Sequence, residues 1–139
     1  MPRALLLFIV IISLSAQSQK KIHCDGIKNR EIKIFVSLNS KTQSNVIRKA
    51  DLLKSNLQLF LNDSSCQIVG FIAGYDCHSG SRSFAFDFAE KTYIGNTINA
   101  RDPFIKGIWV GDILSFECIN VRKKEKVFLI PGISFNVID

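Results

Sequence analysis

Apolar residues at every second position dominate this chain and restrict what it can fold into. Ile32, Ile34, Val36 and Leu38 share one parity within Glu31–Leu38, Leu57, Leu59 and Leu61 repeat the spacing, and Phe84, Phe86 and Phe88 repeat it again. Successive side chains of an extended strand point to opposite faces, so a period of two collects each set on one side of a sheet. Cys66 to Tyr75 is rich in β-forming residues and is broken by Gly70 and Gly74. Glycine inside a strand marks a bulge or a close backbone approach. Ile113 to Val121, Val127 to Ile130 and Ile133 to Val137 read as further strands, the last two separated by Pro131-Gly132. Polar clusters at Asn39–Asn45, Asn62–Ser65 and His78–Ser81 supply turns. Val46 to Leu53 suits a helical turn or a short strand, and Asn99 to Gly107 has room for one helical turn limited by Pro103. Roughly six to eight short strands with no long amphipathic helix predict an all-β, antiparallel sandwich or open barrel.

The N-terminus carries a different signal. Arg3 precedes the unbroken apolar run Ala4–Ile12, and the small, polar stretch Ser13–Ser18 follows. These are the three parts of a secretory signal peptide, and the run is well short of the about 20 residues that a spanning helix needs. The expected cut follows Ala16, which leaves Gln17 to Asp139 as an exported domain with no membrane insertion. All four cysteines (Cys24, Cys66, Cys77 and Cys118) lie in that part. An even number in an oxidising compartment predicts two disulfides. No C-x-x-C pair exists, so zinc is disfavoured. If Cys66 and Cys77 bound one extended strand they lie too far apart to bond each other, which favours Cys24 pairing with one and Cys118 with the other. A turn at Gly74 instead permits a local Cys66–Cys77 loop, and the sequence leaves the pairing open.

Catalytic machinery is hard to find. The two histidines are His23, near the start of the exported part, and His78. Asp76, His78 and either Ser79 or Ser81 are the one conceivable triad, the basis of an alternative reading as a small secreted hydrolase or toxin-like effector. No Gly-x-Ser-x-Gly elbow, H-E-x-x-H, phosphate loop or dinucleotide fingerprint occurs. The expectation is therefore a non-enzyme with no catalytic, cofactor-binding or metal-binding residues. The formal charge is +6, but Arg122-Lys123-Lys124-Glu125-Lys126 is the single dense basic group. Without interleaved aromatics it reads as a solvated turn between strands rather than a nucleic-acid site. Trp109, in Gly107-Ile108-Trp109-Val110-Gly111, is expected to pack into the core or a turn.

One family resemblance gathers these features. Val46-Ile47-Arg48-Lys49-Ala50-Asp51-Leu52-Leu53, then Leu57-x-Leu59-x-Leu61 and Ile68-Val69-Gly70-Phe71, resembles the C-terminal domain of the gliding-motility protein GldM. Gly95-Asn96, Phe104-Ile105, Val110-Gly111-Asp112, Phe116-Glu117 with Ile119, and the ending Leu129-x-Pro131-x-Ile133-x-Phe135-x-Val137 are similar to it as well. GldM is the periplasmic shaft of the type IX secretion and gliding machinery of Bacteroidetes, and the leader ending Leu-Ser-Ala-Gln-Ser-Gln is similar to those of exported proteins of that phylum. The resemblance covers about residues 45–138. It implies an immunoglobulin-like β-sandwich that acts by protein–protein contact in the periplasm or at the cell surface, with a protein partner or a homodimer. The chain departs from the full shaft protein: it has no motor-complex transmembrane helix, lacks the preceding domains and carries four cysteines. The expected organisation is a signal peptide over 1–16, an N-terminal strand region over 17–44 and the GldM-like domain over 45–139, with 17–139 forming one folded unit.

Overall fold

The computed structural model describes residues 22–77 and 88–139. The expected signal peptide, His78, Ser79, Ser81 and the alternating Phe84 and Phe86 lie outside the described residues. In chain order the elements are β1 (Ile34–Leu38), β2 (Lys41–Thr42), β3 (Val46–Arg48), α1 (Lys49–Lys54), β4 (Leu57–Leu61), β5 (Cys66–Cys77) and β6 (Phe88–Ile94). They continue with β7 (Thr97–Ile98), α2 (Pro103–Gly107), β8 (Asp112–Lys123), β9 (Lys126–Ile130) and β10 (Ile133–Ile138). The stretch Val46–Leu53 resolves into both of its expected alternatives, a short strand followed by a short helix. Pro103 starts α2 instead of limiting it, because proline at a first helical position removes an amide that has no intrahelical partner.

The strands form two sheets. One has the order β2-β1-β4-β7, and the other β3-β10-β8-β5-β6 with β9 also on β8. Neighbours are antiparallel except β3, which runs parallel to β10. The alternation in β1 and β4 does what its period predicts: Ile34, Val36, Leu38, Leu57 and Leu59 are buried and face the larger sheet. Both sheets feed one apolar core. A run of aromatic rings crosses it: Phe135 to Phe116 (6.1 Å between centroids), Phe116 to Phe71 (5.8 Å), Phe71 to Tyr93 (5.4 Å), Tyr93 to Phe104 (6.0 Å) and Phe104 to Tyr75 (5.0 Å).

β8 is not the uniform strand that its sequence suggests. Opposite β5, Glu117 pairs with Ile72 but Asn120 pairs with Gly70, so β8 carries an extra residue there. Cys118 absorbs it at φ 48°. The bulge switches parity: Leu114 and Phe116 point into the core before it, Ile119 and Val121 after it. On the far edge the partner strand breaks at the same level. β10 pairs with Ile113–Phe116, β9 pairs with Ile119–Lys123, and Pro131-Gly132 separates the two. A side chain at Gly132 would stand 2.6 Å from the Phe116 carbonyl oxygen, so only glycine fits that approach.

The switch in parity turns Asn120 outward, yet it is buried, because the segment before β1 folds back over it. The Asn120 side-chain amide donates to the His23 carbonyl (2.8 Å) and accepts from the His23 amide (3.3 Å). Ile22 lies over Gly70. Further along, Leu129 of β9 donates to the Ile27 carbonyl and accepts from the Asn29 amide, both at 2.8 Å, forming a parallel bridge at Lys28. Cys24 closes this strap with a disulfide to Cys118 at the bulge.

That bond corrects the expected pairing. Cys66 and Cys77 do bound a single strand, roughly 35 Å apart at strand rise, but Cys24 and Cys118 pair with each other and Cys66 is a free thiol. One bridge is thus present among the described residues, and the Cys77 side chain lies outside them. The strap explains the mistake: it brings Cys24 to the outer face of the bulge, a contact set by tertiary folding and not by spacing.

Gly70 gives a test of this close approach. A Cβ there would collide with Ile22 and stand 2.5 Å from the Tyr93 carbonyl oxygen, and the latter is sheet backbone that cannot yield. Gly70→Ala is expected to destabilise by about 1–3 kcal/mol, an overpacking cost, read as a lower urea midpoint. An unchanged midpoint would show that neither Ile22 nor the Tyr93 carbonyl crowds this position.

Candidate interaction surfaces

The clearest cluster of functional character lies where α1 meets α2. Asp102 caps α2, accepting the Phe104 amide at 2.9 Å, and pairs with Lys91 of β6 at 2.9 Å. The Lys91 ammonium also lies 5.2 Å from the centre of the Tyr93 ring. At the other end of α2, Lys49 donates to the Ile105 carbonyl at 3.1 Å and to the Ile108 carbonyl. A cation there neutralises the carbonyls that a helix end leaves unpaired.

With Ile108 buried and held, the next turn is pinned from three sides. The buried Asp112 carboxylate accepts the Trp109 amide at 2.8 Å, the Asp112 amide donates to the Trp109 carbonyl at 3.1 Å, and Gly111, at φ 97°, donates to the Val137 carbonyl at 2.8 Å. The turn is thus rigid while its side chains project outward: Trp109 is 51% exposed and Val110 48%. Of the two expected places for Trp109, the core or a turn, it takes the turn. Its backbone is built into the turn, but its indole stands half in solvent. Leu53, one helical turn after Lys49 and so on the same side of α1, is also exposed.

The electrostatics of this end follow from its geometry. Burial tends to raise the Asp102 carboxyl, but Lys91 and the Phe104 amide outweigh it and hold the group below its ordinary value of 3.8. Burial, followed by the neighbouring Asp102 charge, pushes the Tyr93 phenol up. A depressed carboxyl stabilises the fold above its unfolded pKa and loses that contribution as pH falls through the folded value. Asp102→Asn keeps a good helix cap but loses the charge. Its urea midpoint is therefore expected to fall less than wild type's between about pH 5 and pH 2.5; parallel curves would mean that the Lys91–Asp102 pair contributes nothing to folding. Asp63, in the turn before β5, is likewise depressed, by Ser65 and then Lys123, and stays intact in both proteins as a common background.

The basic group Arg122–Lys126 lies where the sequence places it, at the β8–β9 turn, with Lys124 at φ 56° and Lys123 paired with Asp63 at 3.1 Å. Asp76 is exposed near the end of β5. Its three suggested triad partners fall outside the described residues. Among the described residues no cluster of histidine, cysteine and carboxylate side chains suits a metal ion, and no helix is long and apolar enough to cross a membrane.

These features define a two-sheet, mainly antiparallel β-domain that carries a disulfide-held strap and a rigid turn presenting a tryptophan. The chain matches no protein family, no curated protein and no solved structure.

Proposed function

We propose that this chain is an exported, non-enzymatic domain that works by protein–protein contact in the periplasm or at the cell surface, as a relative of the GldM C-terminal domain. The observation that carries the reading is the half-exposed Trp109 on a turn fixed by Asp112, Gly111 and Lys49. Interface hot spots are enriched in tryptophan, and a pre-organised turn presents one with little further loss of entropy on binding.

The strand order supports an immunoglobulin-like assignment. Taking β4 as strand B, β5 as C, β6 as C′, β7 as E, β8 as F and β9–β10 as G, the larger sheet reads G-F-C-C′ and the smaller places B beside E, as in immunoglobulin domains. The Cys24–Cys118 bond suits an oxidising compartment. The test is capture of partners from the periplasmic and surface fractions of the host, using wild type and Trp109→Ser. One protein retained by wild type and lost with the variant is the expected result. Turnover of a substrate that His78→Ala abolishes would overturn the reading in favour of an enzyme.

A further inference from the structure

A second surface lies toward the other end of β8, where the strap meets β9. Between them runs an open groove of about 810 Å³, lined by Ile27, Lys28, Arg30, Lys126, Val127 and Phe128. Three properties of this groove point to one kind of occupant.

The first is an open main-chain position. Leu129 directs both its amide and its carbonyl toward the strap. Val127, two residues earlier on the same strand, directs its own to the same edge. The strap would reach Val127 at Gly26, but Gly26 has φ 149° and turns the chain away, and no described residue bonds the outward groups of Val127. The second property is an aliphatic floor: Ile27 is 80% exposed and Val127 46%. The third is charge. Lys28, Arg30 and Lys126 surround the floor against a single carboxylate, Glu31. The two ion pairs among the described residues, Lys91–Asp102 and Lys123–Asp63, involve none of these three cations.

We propose that this groove binds an extended, acidic segment of a partner protein, whose backbone pairs with Val127 at the β9 edge. An apolar side chain of the segment covers Ile27 and Val127, and its carboxylates meet Lys28, Arg30 and Lys126. Strand addition to a free edge draws affinity from main-chain bonds and specificity from alternate side chains, and the groove offers both. A nucleic acid would satisfy the cations but would leave Ile27 and Val127 uncovered. It would also find no open aromatic face to stack on, because Phe128 packs against the core. The inference rests on the reading of the chain as a protein-binding domain but concerns a face remote in sequence from Trp109.

The experiment is fluorescence anisotropy on the purified, oxidised protein. The probe is a labelled peptide of about 12 residues alternating Asp and Val, compared with its Lys/Val counterpart and with oligo-dT. Binding of the Asp/Val probe alone is expected, weakening as salt rises from about 50 to 500 mM. Lys126→Glu is expected to weaken it by about tenfold. Val127→Pro removes only an outward amide, which an edge strand tolerates, and is expected to weaken it comparably. Trp109→Ser is expected to leave it unchanged, which separates this site from the turn: loss of the captured partner with Trp109→Ser says nothing against the groove. Absence of probe binding, equal binding of oligo-dT, or indifference to Lys126→Glu would each overturn the proposal. A poorly folded Val127→Pro leaves the Lys126→Glu arm decisive.

Discussion

Replacing Cys24 and Cys118 together by serine is expected to cost about 4–5 kcal/mol of stability, the loop-closure value for a bridge of this span. The two cysteines are 94 residues apart, so the bond restrains most of the described chain when it unfolds. For a domain of this size the loss corresponds to a fall in Tm of roughly 10–20 °C. The local consequences are specific. Without the bond the strap is held by the Asn120–His23 pairing, the contact of Ile22 with Gly70 and the short bridge at Leu129, and each depends on the strap staying in place. Cys66→Ser is expected to leave Tm unchanged while removing one thiol that reacts with Ellman's reagent in the native protein. Thermal melts of the three proteins, with and without dithiothreitol, check this. A double mutant that melts with wild type would show that the strap is not tied down by this bridge.

Phe116→Ala is expected to be comparably damaging, at about 3–5 kcal/mol. The ring is fully buried and sits in the middle of the aromatic run, edge-on to Phe71 on one side and to Phe135 on the other. Removing it opens a cavity between β5, β8 and β10, whose strands are fixed by their ladder hydrogen bonds and cannot close the gap. Phe116→Leu keeps most of the volume and is expected to cost less than about 1.5 kcal/mol. Urea unfolding separates the two, since a change of midpoint at constant slope reports stability alone. A loss under about 1 kcal/mol for the alanine variant would mean that the two sheets do not close over this ring.

Much of the strand framework was legible because alternation is a local property. Ile32, Ile34, Val36 and Leu38 face inward as their spacing requires, as do Leu57 and Leu59. The turns at Asn62–Ser65 and Lys124-Glu125 fall where polar residues cluster. Gly70 carries the close approach that a strand glycine announces, although what approaches it, Ile22 and the Tyr93 carbonyl, lies far away in sequence. The bulge at Cys118 did leave a mark, in the change of apolar parity from Leu114 and Phe116 to Ile119 and Val121, which reading Ile113–Val121 as one regular strand passes over. The exposure of Trp109 was hidden: a tryptophan flanked by Ile108 and Val110 looks like core, and only the bonds from Asp112 and Gly111 to the turn decide that its ring points outward.

The sequence by itself determined the β-class of the domain, the places where most strands begin and end, and the inward faces of β1 and β4, since these depend on neighbours two residues apart. Only the tertiary structure decided which cysteines meet, that Asn120 is buried, that Trp109 is presented, and that a basic groove opens at Val127. Each of those depends on the strap or a turn being carried across the sheet by contacts between residues far apart in the chain. Periodicity and composition carry no information about such contacts.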